Sequence, residues 1–79
     1  MIKLYSKPSC PYCDMAKAWL KKNDIAYEEI NVMSDAKAKA KLFEKGLRTV
    51  PQIFNDDEIL VEGGWAGLQK VDPEKLRNL

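Results

Sequence analysis

The sequence predicts an α/β fold of order β-α-β-α-β-β-α, a four-stranded mixed sheet covered by helices. Three observations carry that prediction. An alternating segment, a helical run and a second segment rich in apolar and β-branched residues open the chain, which implies parallel strands joined by a right-handed crossover. Two short apolar runs separated by Asn-Asp-Asp follow, as in an antiparallel hairpin. A run with a proline-marked helix start closes the chain.

Taken in order, residues 2–6, IKLYS, alternate apolar and polar, as a half-buried strand does. Pro8 and Ser9 end it. From Pro11 to about Asn23 the pattern is helical: Cys13, Ala16, Trp19 and Leu20 fall on one side, leaving Lys17, Lys21 and Lys22 for water. Asn23-Asp24 stops that run, and residues 26–32, AYEEINV, supply the second strand. Ser34-Asp35 is a suitable N-cap for a second helix. Its body, AKAKAKLFEK, alternates like a strand, but alanine and lysine are strong helix formers, and Ala36, Ala40 and Phe43 share a helical face. Gly46 suits a left-handed stop. PQIF (51–54) and EILV (58–61) are the hairpin strands, and Gly63-Gly64 is a turn. Asp72-Pro73-Glu74 then opens the last helix with an N-cap aspartate, proline at the first helical position and an acid in the first turn.

The 79 residues are expected to form one domain, 1–79, with no linker or repeat. At this size only about 60% of the unfolded surface is buried, so stability is modest. Thirteen Lys and Arg against twelve Asp and Glu leave a net charge of +1, so no global field recruits nucleic acid or an anionic membrane. No apolar run reaches the ~18 residues of a membrane span, and the N-terminus lacks the long apolar stretch of a signal peptide. The expectation is a cytoplasmic protein, where thiols are kept reduced. Histidine is absent, which excludes Cys-His and Ser-His catalysis and imidazole metal sites.

The chemistry concentrates at residues 7–13, KPSCPYC. Pro11 suits the first position of a helix, which makes Cys10 its N-cap. A sulfur there can accept hydrogen bonds from the N–H groups of Tyr12 and Cys13, and the helix dipole adds positive potential. Both favour thiolate over thiol, and helix N-termini in Cys-x-x-Cys motifs bring the pKa from near 8.5 to about 3.5–7.5. Lys7 adds a cation. Cys13 lies one turn further in, better placed to attack a mixed disulfide than to start one. Cys10 is therefore assigned as nucleophile and Cys13 as resolving thiol. The alternatives are packed cysteines, a stable disulfide, or a metal site. Structural zinc wants about four ligands, and two thiolates do not supply them, so no metal is expected. The lysines Lys37, Lys39, Lys41 and Lys45 read as a solvated helix face, and Asp14 as a first-turn acid.

In these residues the chain resembles a dithiol glutaredoxin over nearly its whole length. The resemblance rests on Cys10-Pro11-Tyr12-Cys13, on Thr49-Val50-Pro51 followed by Gln52-Ile53-Phe54, and on Gly63-Gly64. It implies a thioredoxin fold in which Pro51 is cis and faces the cysteine pair, and in which Thr49, Val50, Pro51, Gly64 and Trp65 border glutathione. Val50 would pair with the extended tripeptide through its backbone. A proline opening a strand needs no such geometry by itself. The resemblance also implies that Lys7, Tyr12 and Arg48 contact glutathione, Arg48 and Lys7 through the glycine carboxylate. Each of the three is otherwise an ordinary surface residue.

One stretch departs from that pattern. Glutaredoxins usually carry an aspartate shortly after the two glycines, and Ala66 stands there instead. Trp65-Ala66-Gly67-Leu68 is similar to the Trp-Ser-Gly-aromatic stretch of the glutaredoxin-like hydrogen donors of ribonucleotide reductase, which thioredoxin reductase reduces. The expected activity is glutathione-dependent reduction of protein disulfides and protein–glutathione mixed disulfides, with glutathione as co-substrate and the protein a monomer. The alternatives are an electron donor to ribonucleotide reductase and a glutathione-dependent iron–sulfur cluster carrier.

Overall fold

A computed structural model describes residues 1–79. It contains eight elements: β1 (Ile2–Ser6), α1 (Pro11–Lys22), β2 (Tyr27–Asn31), α2 (Ala36–Glu44), β3 (Gln52–Asn55), β4 (Glu58–Val61), α3 (Gly64–Leu68) and α4 (Pro73–Arg77). Seven correspond to expected elements. The short helix α3 stands where only a turn was expected after Gly63-Gly64, and its Leu68 is fully buried.

The sheet order is β2-β1-β3-β4. β1 and β2 run parallel, from Ile2 opposite Tyr27 to Ser6 opposite Asn31. β3 lies antiparallel to β1, with Leu4 opposite Ile53, and β4 returns antiparallel to β3. Because side chains alternate across a strand, β1 feeds both faces of the sheet. Ile2 and Leu4 join Ala16, Leu20, Ile53, Val61, Leu68 and Leu76 under α1, α3 and α4. Tyr5 points the other way and joins Phe54, Val32, Ala38 and Leu42 under α2. Tyr5 and Phe54 meet edge to face, ring centroids 4.9 Å apart, a favoured aromatic geometry.

Local chemistry accounts for the helix ends. Asp35 caps α2 by accepting from the Ala38 N–H, and Asp72 caps α4 by accepting from the Glu74 N–H. Gly46, just past α2, takes the left-handed conformation, φ +74°. The buried face of α2 differs from the expected one. Ala38 and Leu42 are buried, while Ala36, Ala40 and Phe43 are exposed. Alternating alanine and lysine leaves the helical phase open, and the aliphatic bulk of Leu42 against Tyr5 and Phe54 decides it. In α1, Cys13, Ala16 and Leu20 are buried and Trp19 packs partly against the core. Lys17, expected to face water, is instead half-buried between Asp14 and Glu29. No helix is long and apolar enough to cross a membrane.

Candidate active site

The parallel pair β1-β2 and its crossover helix place the cysteines beyond the C-terminal end of the interior strand β1, where α1 begins. Ser9 turns the chain with φ +58°. Cys10 then adopts an extended N-cap conformation, and Pro11 opens the helix. The Cys13 N–H donates to Cys10 Sγ at 3.2 Å. Of the two donors expected at this sulfur, Cys13 is the one the structure supplies; Tyr12 N–H makes no such bond. The two sulfurs are joined as a disulfide with the Cα atoms 5.2 Å apart. Cys10 retains 6% of its surface and Cys13 only 1%, so reagents reach the first cysteine more readily.

A second loop faces the pair from β3. The Val50–Pro51 peptide bond is cis. The ladder between β1 and β3 starts at Gln52, so Val50 lies outside it, and its N–H has no partner within the chain. The Val50 carbonyl oxygen lies 3.9 Å from Cys10 Sγ, where a reduced thiol is a weak donor to it. Gln52, buried behind the loop, donates from Nε2 to the Thr49 carbonyl at 2.9 Å and to Thr49 Oγ1 at 3.3 Å. It holds the loop in shape.

The third wall is the start of α3. Gly64 has φ +57°, and a Cβ there would lie 2.8 Å from the Pro51 carbonyl oxygen. Only glycine lets this helix approach the Pro51 backbone so closely. Between the three walls runs an open groove of about 880 Å³.

Of the residues expected at the site, Tyr12, Thr49, Val50, Pro51, Gly64 and Trp65 line this groove. Lys7 and Arg48 line a smaller pocket of about 310 Å³ beside it, which shares Thr49 and Val50 as a wall. Ala66 does border the groove, so the missing acid is missing where it would count. The one charged side chain along the groove is Glu62, which the sequence did not single out, and Gln69 adds an exposed amide. Glu62 precedes the two glycines directly, and that adjacency is the only clue the sequence offers to its place.

Beneath α1 a polar network ties the two parallel strands to the active-site helix. Ser6 Oγ donates to Glu29 Oε2 at 2.8 Å, and Lys17 Nζ lies 3.1 Å from the same oxygen and 3.3 Å from Asp14. The Ser6 hydroxyl, more than Lys17, holds the Glu29 carboxyl below its ordinary value. Lys17 is raised in turn, first by its bond to Glu29 and then by Asp14.

Comparison with known proteins agrees with this geometry. The family model described as Glutaredoxin matches residues 2–60. The Glutaredoxin-like protein NrdH of Lactococcus lactis is 40% identical over 57 residues, covering 72% of this chain and 79% of the relative. Glutaredoxin 3 of Escherichia coli is 33% identical over 72 residues, covering 90% and 84%. Among solved structures, a thioredoxin-like protein superposes with a TM-score of 0.72 at 34% identity, covering 89% of this chain and 97% of its own.

Proposed function

The chain belongs to the glutaredoxin family and is a thiol-disulfide oxidoreductase with a Cys-x-x-Cys pair, and on that premise we propose that it is a dithiol enzyme that draws its electrons from glutathione in the cytosol. The observation that carries this reading is Val50. Its N–H is unpaired, its carbonyl is beside Cys10 Sγ, and the residue lines the groove. An extended tripeptide bonded through its thiol to Cys10 would meet that backbone as an added strand meets a sheet edge. Arg48 and Lys7, in the adjoining pocket, would receive its carboxylate, and Tyr12 and Trp65, which line the groove, would border its body.

The cycle then runs as four thiol–disulfide exchanges, two that reduce the substrate and two that restore the dithiol. The Cys10 thiolate attacks one sulfur of a protein disulfide, or the protein sulfur's glutathione partner, and expels the other sulfur as a thiolate that takes up a proton. The Cys13 thiolate attacks Cys10 Sγ, completes the disulfide and expels whatever sulfur Cys10 then holds, the protein thiolate in the first case and glutathione thiolate in the second. One glutathione thiolate opens that disulfide at Cys10, leaving Cys13 as a thiol. A second attacks the bound glutathione sulfur, giving glutathione disulfide and the Cys10 thiolate.

The test is to offer the oxidised protein NADPH with glutathione and glutathione reductase, or NADPH with thioredoxin reductase, and follow NADPH loss. Turnover with the first system is expected, and reduction by the second alone would overturn the reading. Cys10→Ser should abolish every activity, while Cys13→Ser should keep removal of glutathione from protein thiols. Activity in Cys10→Ser would reverse the roles of the two cysteines.

A second reading has its own support. Ala66 stands in the groove where an acid would receive the tripeptide's amine, and the 40%-identical relative is named NrdH. Electron donation to ribonucleotide reductase, fed by thioredoxin reductase, is the alternative that the same two-reductase assay separates.

A further inference from the structure

We propose that the smaller pocket beside the groove docks an acidic segment of the protein substrate that also carries a large apolar side chain. The proposal rests on Cys10 attacking that substrate's disulfide.

Position is the first argument. Val50 forms part of the pocket wall, and its carbonyl oxygen is 3.9 Å from Cys10 Sγ. A strand advances about 3.3 Å per residue, so a few residues of a peptide joined to Cys10 span the way into the pocket.

Charge is the second. Lys7, Lys39 and Arg48 line the pocket with no carboxylate among its walls. None of the three is ion-paired, whereas Lys17 and Lys41 elsewhere are held by Asp14, Glu29 and Asp57. In a chain of net charge +1 this is a local concentration of unmatched cations. The neighbouring groove carries a single charge, and it is the acid Glu62. A peptide carboxylate is therefore drawn to the pocket side of Val50 and a peptide cation is repelled there.

Apolar surface is the third. Phe43 is 55% exposed and Met33 65%, and both line the same pocket. Two large apolar side chains left in water at one place mark a surface that gains by being covered. The Lys39 ammonium lies 5.9 Å from the Phe43 ring centroid, so cation and aromatic face form one unit. Of the lysines expected on a solvated face, Lys41 is instead half-buried against Asp57, and Lys39, though exposed, lies over Phe43. The pocket's volume of about 310 Å³ is at the lower end of ligand sites, enough for one bulky side chain.

The experiment uses two cysteine peptides, each presented as a disulfide. One carries Glu and Leu near the cysteine; the other has Lys in place of Glu. Single-turnover reduction by the pre-reduced protein needs only its own dithiol, so the result reads docking whichever reductant serves in the cell. The wild type should half-saturate at about tenfold lower concentration of the acidic peptide, and added salt should shrink that difference. Lys39→Glu should abolish or invert the preference. Phe43→Ser should raise the half-saturating concentration of the acidic peptide. Both variants should reduce a small uncharged disulfide as fast as the wild type. Equal half-saturation of the two peptides by the wild type, or a preference untouched by Lys39→Glu, would overturn the proposal. So would variants slowed equally on the small disulfide.

Discussion

The backbone N–H of Cys13 points at Cys10 Sγ across 3.2 Å, so the helix that carries the resolving cysteine is also a hydrogen-bond donor to the attacking one. That bond and the amino end of α1 favour a charged sulfur over a protonated one. Alkylation of the reduced protein against pH should therefore show Cys10 ionising well below the ordinary thiol value near 8.5. A midpoint at 8 to 9 would remove the activation argument.

Ala66→Asp should restore a carboxylate to the groove. If glutathione lies there with its amine toward α3, a new charge-assisted hydrogen bond lowers KM for glutathione by about tenfold, ~1.4 kcal/mol. Steady-state kinetics with glutathione reductase as the coupling enzyme read this directly. An unchanged KM would mean that the amine is held elsewhere, with Glu62 the one charged side chain lining the groove.

Gly64→Ala should destabilise the protein and damage the groove together. The new methyl would lie 2.8 Å from the Pro51 carbonyl oxygen on a backbone with φ +57°. Strain and overpacking add to a cost of about 2 kcal/mol or more, a large part of the stability of so small a domain. Urea unfolding measures it, and a shift under ~0.5 kcal/mol would show that α3 moves aside freely.

Glu29 gives the fold a pH dependence of known sign. Its folded carboxyl titrates below its ordinary value of 4.5, chiefly because Ser6 donates to it. The contribution is therefore fully present above that value and fades as pH falls through the depressed one. The group is largely exposed, so the effect is under about 1 kcal/mol. Urea midpoints of the wild type and Glu29→Gln should differ at pH 6 and converge as pH falls from 4.5 through the depressed value. Parallel curves across that range would disconnect Glu29 from stability.

The elements that could be read from the residues are those whose own pattern determines them. Pro11 and Pro73 mark helix starts, Asp35 and Asp72 cap them, and β1 alternates along its length. Helix α3 escaped because five residues, GWAGL, are too short to display a period and two of them are glycines. It forms because Leu68 reaches the core built by distant strands. The phase of α2 was ambiguous for a similar reason: alanines on two faces are equivalent until Tyr5 and Phe54 select one. At the site, the cysteine pair and Thr49-Val50-Pro51 are local motifs and were legible. Gln52's support of Thr49, the approach of Gly64 to Pro51 and the gathering of Lys7, Lys39 and Arg48 depend on the chain's return through the sheet. No short window of sequence contains them.

The proximity of the two cysteines also bears on survival under peroxide. Should an oxidant convert Cys10 to the sulfenic acid, a thiol whose Cα is 5.2 Å away can condense with it, expelling water and forming the disulfide. That path competes with further oxidation to the irreversible sulfinic and sulfonic acids. The partner that ends each turnover thus doubles as a fuse: it turns a damaging oxidation into a state the enzyme already knows how to leave.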